Sequence, residues 1–335
     1  MVDTVNNAFR EFMKDTVNLD PDQTKKARDS RKWLMGQLVS FPTTDEQLPS
    51  IYQNNHIYYG SYSRRTKTRP LDDVDLMLCF SAMGSCTYQD VAGTVTIFVH
   101  KQGLFTNYLH DGTNKLNSRK LIDRIIKNLE NVQQYRKAES YRDGEAAALD
   151  LELYEWKFDI VPCFFTSVDE RNRNYYIIPD GKGNWKKTDP RKDQKRVDQI
   201  NNLHGGRVLA IIRLIKYWNI RPTMPDIPSY VLENMILDYY TSRAGEKAAE
   251  YIDVEFTKVL FDLKSRIYLS VHDPKEIQGD LNTVPQEQRV KIATRAKLDY
   301  DRAIAARKLE DEGNQAAAIK AWADILGPEF PKFEL

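Results

Sequence analysis

Three aspartates and one Gly-Ser pair stand out in this chain for the chemistry that their types and spacing allow. Asp73 and Asp75 flank one residue at the start of an apolar run, VDLMLCF, and Asp159 stands inside a second, KFDIVPCFF. Side chains alternate along a strand, so Asp73 and Asp75 point to one face. Two carboxylates a few ångströms apart repel each other unless a cation lies between them. Hard oxygen donors favour Mg²⁺, which keeps waters and takes substrate phosphates as further ligands. Asp159, on a neighbouring strand, would complete a two-metal site that activates a hydroxyl and stabilises a leaving phosphate. Gly60-Ser61 follows the apolar HIYY and offers backbone N–H groups and a hydroxyl to phosphate oxygens. The chain has no GxxxxGK[ST], which excludes a Walker-type NTPase.

Each signal alone is weak. Asp-x-Asp at a strand end is common by chance, and Gly-Ser usually marks an ordinary turn. Asp159 carries more weight, because Phe158, Ile160 and Val161 surround it and an aspartate there is costly unless paired or metal-bound. The three features in this order favour chemistry.

The elements that must position these residues follow from hydrophobic spacing and breakers. Residues 4 to 40 read as two helices broken at Asn18-Leu19-Asp20-Pro21-Asp22, with Asp20 as N-cap, Pro21 at the first helical position and Trp33, Leu34 and Leu38 on one face. Two strands flank a Ser/Arg/Thr-rich loop between 56 and 80. Helices are predicted at 87 to 103 and 117 to 131. Strands at 146 to 153 and 157 to 165 form an antiparallel hairpin. Residues 180 to 198 read as a long connecting loop. Helices are then predicted at 205 to 219, 228 to 243, 246 to 262, 285 to 312 and 314 to 325. Mixed α/β followed by nearly all helix points to an α+β protein of two lobes, divided between 170 and 200.

Composition narrows the class. The 335 residues carry 49 Lys+Arg against 48 Asp+Glu, which excludes a polycation that coats nucleic acid by charge alone. With 41% hydrophobic and 11% aromatic residues the chain is not disordered. Cys79, Cys86 and Cys163 have neither an even count nor a CxxC spacing, so no disulfide framework or zinc site is expected. The five histidines are scattered. MVDTVNNAFREF is no signal peptide and no apolar run spans a membrane, so a soluble cytoplasmic protein is expected.

Taken as a whole, HIYYGSYSRRTKTRPLDDVDLML resembles the core motif of the polymerase-β-like nucleotidyltransferases, and KFDIVPCFF resembles the strand that carries their third carboxylate. Gly60-Ser61-x-x-Arg64-x-Thr66 looks like the bacterial relatives of cyclic GMP-AMP synthase and oligoadenylate synthase, the CD-NTases. IIRLIKYWNIRPTMPDIPSYVLENMI is similar to that family's helix ending in Lys-x-Trp, followed by Ser-Tyr-x-x-Glu. YYIIPDGKGNWKKTDP and AIKAWADILGPEFP add to the likeness, which spans nearly the whole chain.

The resemblance implies a bilobed fold: N-terminal helices at 1–40 bracing the lobes, a catalytic core at 41–180 with a small mixed sheet, and a helical substrate-binding lobe at 181–335. Asp73 and Asp75 would hold two Mg²⁺ ions, with Mn²⁺ as a substitute. Asp159 would bind the metal that lowers the pKa of an attacking ribose hydroxyl. Gly60 and Ser61 would meet the donor NTP's phosphates, with Arg64 and Thr66 supporting that loop. Lys216 would reach the triphosphate, Ser229 would face phosphate, and Tyr230 would stack on the base. Against these stand plainer roles: Lys216 as a solvated lysine at a helix end, Ser229 as an N-cap, Tyr230 as core packing. Asp72 matches no ligand and reads as an exposed turn acid. Lys182, Lys186, Lys187, Arg191, Lys192, Lys195 and Arg196 read as a solvated loop ahead of an RNA-binding patch.

The implied activity condenses NTPs, ATP among them, into a cyclic di- or trinucleotide second messenger with release of pyrophosphate. In the family this serves bacterial anti-phage signalling (CBASS), where a downstream effector binds the product. A template-independent RNA or tRNA-end nucleotidyltransferase shares the same core, and an inactive nucleotide-binding scaffold is a second alternative. No Cys/His insertion is present, so activation by long DNA is not expected, and the balance of 49 Lys+Arg against 48 Asp+Glu counts against stable duplex binding. The terminal Phe-Glu-Leu does not favour C-terminal conjugation.

Overall fold

The computed structural model describes residues 2–152 and 154–334. Leu153, last residue of the strand expected at 146 to 153, and Leu335, last of the terminal Phe-Glu-Leu, lie outside the described residues. The class is α+β. By contact the chain divides into two units, a sheet unit of Pro21–Arg64 and Pro70–Gln194, and a helical unit. The latter takes the N-terminal segment through Asp20, Arg65–Arg69, and the chain from Lys195 onward.

Helix α1 (Val5–Phe12) runs into a π turn at Met13–Val17, and α2 (Pro21–Thr44) starts at Pro21 as its fixed φ favours. Helix α1 belongs to the helical unit and α2 to the sheet unit. On α2, Leu34 and Leu38 are buried, but Trp33 is exposed and stacks edge-on against Tyr135.

The strands are β1 (Ile57–Tyr58), β2 (Asp73–Phe80), β3 (Cys86–Val91), β4 (Thr94–Val99), β5 (Glu139–Asp143), β6 (Ala146–Asp150), β7 (Lys157–Phe165), β8 (Tyr176–Pro179) and β9 (Trp185–Thr188). Among the described residues they form one sheet in the order β1-β2-β7-β8-β9-β4-β3, with β6 and β5 branching from β7. The central pair is β2 with β7, parallel and in register from Asp73↔Lys157 to Phe80↔Phe164. Alternation then sorts the side chains. Val74, Leu76, Leu78, Phe80, Phe158, Ile160 and Phe164 are buried on one face. The other face carries the aspartates, then a floor of Met77, Cys79, Val161 and Cys163 joined by Tyr176 and Ile178. Helix α3 (Gly60–Ser63) is one turn long, and α4 (Ser118–Glu130) packs on β5, β6 and β7 through an apolar stripe that includes Leu121, Ile122, Ile125 and Leu129.

Two expectations are corrected here. Residues 87 to 103 hold the β3–β4 hairpin rather than a helix. Ala92 and Gly93 both take positive φ, 51° and 84°, and the Asp90 carboxylate accepts the Gly93 N–H at 3.0 Å. A two-residue turn of that hand matches strand twist, and β-branched TVTIFV suits the pleat. Residues 180 to 198 are not a loop either: they form β9 and the start of α5 (Pro190–Leu203). The basic cluster there is largely engaged in ion pairs, Lys186 with Glu145, Lys187 with Asp90, Arg191 with Asp189 and Arg196 with Asp238.

The helical unit continues with α6 (Val208–Asn219), α7 (Ser229–Thr241), α8 (Ile252–Arg266), α9 (Gln286–Asp311) and α10 (Gln315–Leu326). Gly205 and Gly206, both at positive φ, delay the start of α6. Helix α8 begins later than expected because Glu255 accepts the Ala249 N–H at 2.8 Å and holds the lead-in outside the helix. The core gathers Phe9, Phe12, Trp218, Phe256, Trp322 and Phe330, all at most 2% exposed.

Candidate active site

The parallel pairing of β2 and β7 brings the carboxylates together. Asp75 and Asp159 are direct register partners, so their side chains leave the same face about 4.8 Å apart at the backbone. Asp73 lies two residues back on that face. The antiparallel β1 adds the Gly-Ser turn, because Ile57↔Met77 and Tyr58↔Leu76 carry the chain past Asp75, and the Tyr59 N–H reaches the Asp75 carbonyl at 3.4 Å. Gly60 then opens α3 at φ +76°, and a Cβ built on it would lie 1.7 Å from Asp75 Oδ2. Both the backbone hand and the carboxylate require glycine here. The expected turn is one turn of helix, whose first N–H groups point out of it.

Helix α2 braces this turn. Tyr62 donates its hydroxyl to the Thr24 carbonyl at 2.8 Å, and Arg31 donates to Ser63 Oγ at 3.0 Å while its guanidinium lies 3.9 Å from the Tyr58 ring centre. Ser61 is half-buried. Arg64 closes the turn by donating its N–H to the Gly60 carbonyl at 3.1 Å, and its side chain is buried. Asp72 is exposed, as expected.

Asp159 is the most telling group. Burial pushes its carboxyl above the usual range, the Lys157 ammonium pulls it back, and Asp143 and Asp72 add to the rise. Its Oδ1 is buried without a hydrogen-bond partner, although Lys157 Nζ stands 3.4 Å away. The Tyr59 hydroxyl is pushed well above its ordinary value, by burial first and then by Asp75, Glu145 and Asp159. This face therefore concentrates negative charge against an apolar floor. A buried carboxylate oxygen with an ion pair but no hydrogen bond, two further carboxylates on the face and a glycine cradle fit a hard divalent cation. Among the described residues no three His, Cys, Asp or Glu side chains close into a ready-made cage.

The remaining predicted residues belong to the helical unit. Lys216 is not a solvated lysine: its side chain is 6% exposed, and its Nζ donates to Glu233 Oε2 at 2.5 Å. Thr66 is fully buried beside it, donating its hydroxyl to the same Glu233 oxygen at 2.8 Å, and Lys216 Nζ lies 3.3 Å from the Thr66 carbonyl. Trp218 of the Lys-x-Trp signature is core, donating its indole N–H to buried Asp299 at 2.8 Å. Ser229 is not the N-cap of α7. Pro228 holds that position, and Ser229 is the exposed first residue of the helix. Tyr230 is partly packed on the core, and Lys275 donates to its hydroxyl at 2.5 Å from 4.4 Å off the ring centre. Lys275 is itself fixed 3.0 Å from the fully buried Asp273.

Sequence reasoning assigned no role to Lys157, Tyr59, Glu233 or Lys275. Strand alternation alone places Lys157 and Tyr59 on the carboxylate face. Glu233 ends the quoted Ser-Tyr-x-x-Glu, but its partner is visible only in three dimensions. Lys275 sits in a segment without periodic signal.

No family profile matches the chain. A protein named probable cyclic nucleotide synthase from Bacillus cereus (strain VD146) is 42% identical over 335 residues, the full length of both chains. Two solved structures share the fold across 97% of this chain and 98% of their own: E. coli MS115-1 CdnC with ATP, at TM-score 0.69 and 17% identity, and the CdnC:HORMA-deltaN complex, at 0.70 and 15%. A full-length relative at that identity settles what the carboxylate face by itself left open, and the chain belongs to the cyclic nucleotide synthases, the CD-NTase family of nucleotidyltransferases.

Proposed function

We propose that this enzyme uses two Mg²⁺ ions, replaceable by Mn²⁺, to condense NTPs into a cyclic di- or trinucleotide in the cytoplasm, as a bacterial anti-phage signal. The observation that supports the chemistry best is the buried Oδ1 of Asp159, ion-paired with Lys157 but short of hydrogen bonds, in register with Asp75 beside the Gly60 cradle. Asp73, Asp75 and Asp159 would hold the metals, which when bound neutralise phosphate charge and make a ribose hydroxyl more acidic. In each condensation a ribose oxygen bonds to the α-phosphorus of another nucleotide and pyrophosphate leaves. Gly60 and Ser61 orient the donor phosphates, and Arg64 supports that turn. Thr66 and Lys216 contribute from the helical unit, where Ser229 faces phosphate and Tyr230 stacks on the base. Stacking accepts any nucleobase, so it serves binding more than selection.

The near balance of 49 cations and 48 anions supports small nucleotide substrates over stable binding of duplex DNA. Among the described residues no helix is long and apolar enough to cross a membrane. A solved relative in complex with HORMA-deltaN supports a protein partner for this chain too, while the downstream effector binds the product. Incubation of the protein with labelled NTPs and Mg²⁺ or Mn²⁺ tests the reading. Phosphatase-resistant products from NTPs alone are expected, and they vanish in Asp73→Asn and Asp75→Asn. Elongation of an added RNA primer instead would favour an end-adding enzyme, and absence of turnover with either metal an inactive scaffold.

A further inference from the structure

Lys157 places a positive charge on the carboxylate face of the sheet. It is two residues before Asp159 on β7, hence on the same face, and is the register partner of Asp73 on β2. Its backbone N–H donates to the Asp72 carbonyl at 3.0 Å, which fixes the start of the strand. Its ammonium donates to Asp143 Oδ2 at 2.7 Å and stands 3.4 Å from Asp159 Oδ1, the oxygen with no hydrogen-bond partner. The side chain is 27% exposed, so the charge is shielded from much of the surrounding water. One ammonium therefore serves two carboxylates, and it leans toward the one at the rim.

We infer that Lys157 is a resident counter-cation of the carboxylate face: moored by Asp143, it holds Asp159 in position before metal arrives and lowers the affinity of that face for divalent cations. The inference rests on Asp159 being a metal ligand, as proposed above. A divalent ion bound to Oδ1 lies within a few ångströms of a like charge, and Coulomb repulsion at that range costs at least roughly a factor of ten in affinity even with the screening of bulk water. In exchange, the buried carboxylate is not left uncompensated in the metal-free protein. The pairing with Asp143 gives the ammonium a place to stay when metal takes Asp159. Lys157 is thus a positioning residue, and it sets the metal concentration at which the site fills.

Mn²⁺ binding to the full-length protein without nucleotide, followed by the loss of the free-ion EPR signal, tests this. Lys157→Met and Lys157→Gln are expected to bind Mn²⁺ at least about tenfold more tightly and to unfold at lower temperature when metal-free. Lys157→Arg keeps the wild-type affinity within a few-fold. Asp143→Asn, which casts off the mooring, is expected to weaken binding. A lysine that merely braces the strand would leave affinity unchanged or reduce it in Lys157→Met, and that result overturns the inference. Asp159→Asn separates the two levels: wild-type Mn²⁺ affinity in that variant overturns the metal reading itself. Loss of binding in Asp159→Asn with no gain in Lys157→Met overturns only the role of Lys157.

Discussion

Each unit of this protein buries a carboxylate beside a lysine, and the two pairs are built differently. In the helical unit, Glu233 is 1% exposed and its Oε2 receives both the Lys216 ammonium and the Thr66 hydroxyl. In the sheet unit, Asp159 keeps 20% exposure, its Oδ1 lacks a hydrogen bond, and its lysine is shared with Asp143. A buried charge pair satisfied in this way holds architecture, because removing one partner strands the other. A buried carboxylate left short of donors is costly in the resting protein and gains most from a cation. The comparison also sharpens the part proposed for Lys216. To engage a phosphate, its ammonium has to give up or share Glu233.

Four changes break or sharpen this contrast. The largest effect is expected from Asp75→Asn, which removes a charge from the open face: product formation falls by at least about 10⁴-fold, as for residues that act as one catalytic unit, while thermal unfolding shifts little. Comparable turnover in that variant would break the contrast at its functional end. Glu233→Gln attacks the closed pair and strands Lys216; we expect a loss of about 3–5 kcal/mol in denaturant unfolding. The double change Glu233→Leu with Lys216→Met should recover most of it. Retained stability in Glu233→Gln alone would show that the pair is not structural.

Gly60→Ala tests the cradle, since its methyl needs the space of Asp75 Oδ2 at a φ of +76°. Displacing the carboxylate by about 1 Å is expected to lower activity roughly 10²-fold, with the protein still folded by circular dichroism. The smallest effect concerns a second closed pair, inside the sheet unit. Arg124 holds Asp45 at about pKa 2, chiefly by side-chain hydrogen bonding, with Asn128 donating at 2.7 Å. A depressed carboxyl stabilises the fold above its unfolded value and loses that contribution as pH falls. Asp45 should therefore contribute about 2 kcal/mol at neutral pH, disappearing between about pH 4 and 2. Asp45→Asn should flatten that acid limb in pH-dependent unfolding. Closed pairs would then be shown in both units, and openness confined to the carboxylate face.

Much of the carboxylate face was legible because its physics is local. KFDIVPCFF reads as a strand from one end to the other, and an aspartate inside it announces its own cost. The hairpin of β3 and β4 was not legible. Its turn is Ala-Gly rather than Asn-Gly or Asp-Gly, and the preceding β3 is exposed along most of its length, so alternation carried little signal. The stretch from 180 to 198 misled for another reason: its charges look solvated in sequence, yet many find partners on distant strands and helices. The same holds for Lys216. No spacing rule reveals that a lysine is buried, because its partner Glu233 lies on another helix and Thr66 on a far segment.

The interleaving of the units has a consequence for how the protein is made. Phe9 packs edge-on against Trp322 and Phe330, and Phe12 against Phe330, so α1 cannot complete its packing until a segment far along the sequence has been made. Until then the apolar face of α1 has only part of its cover, from residues such as Tyr217 against Phe12. A chain cut before Trp322 would leave Phe9 without its two ring partners.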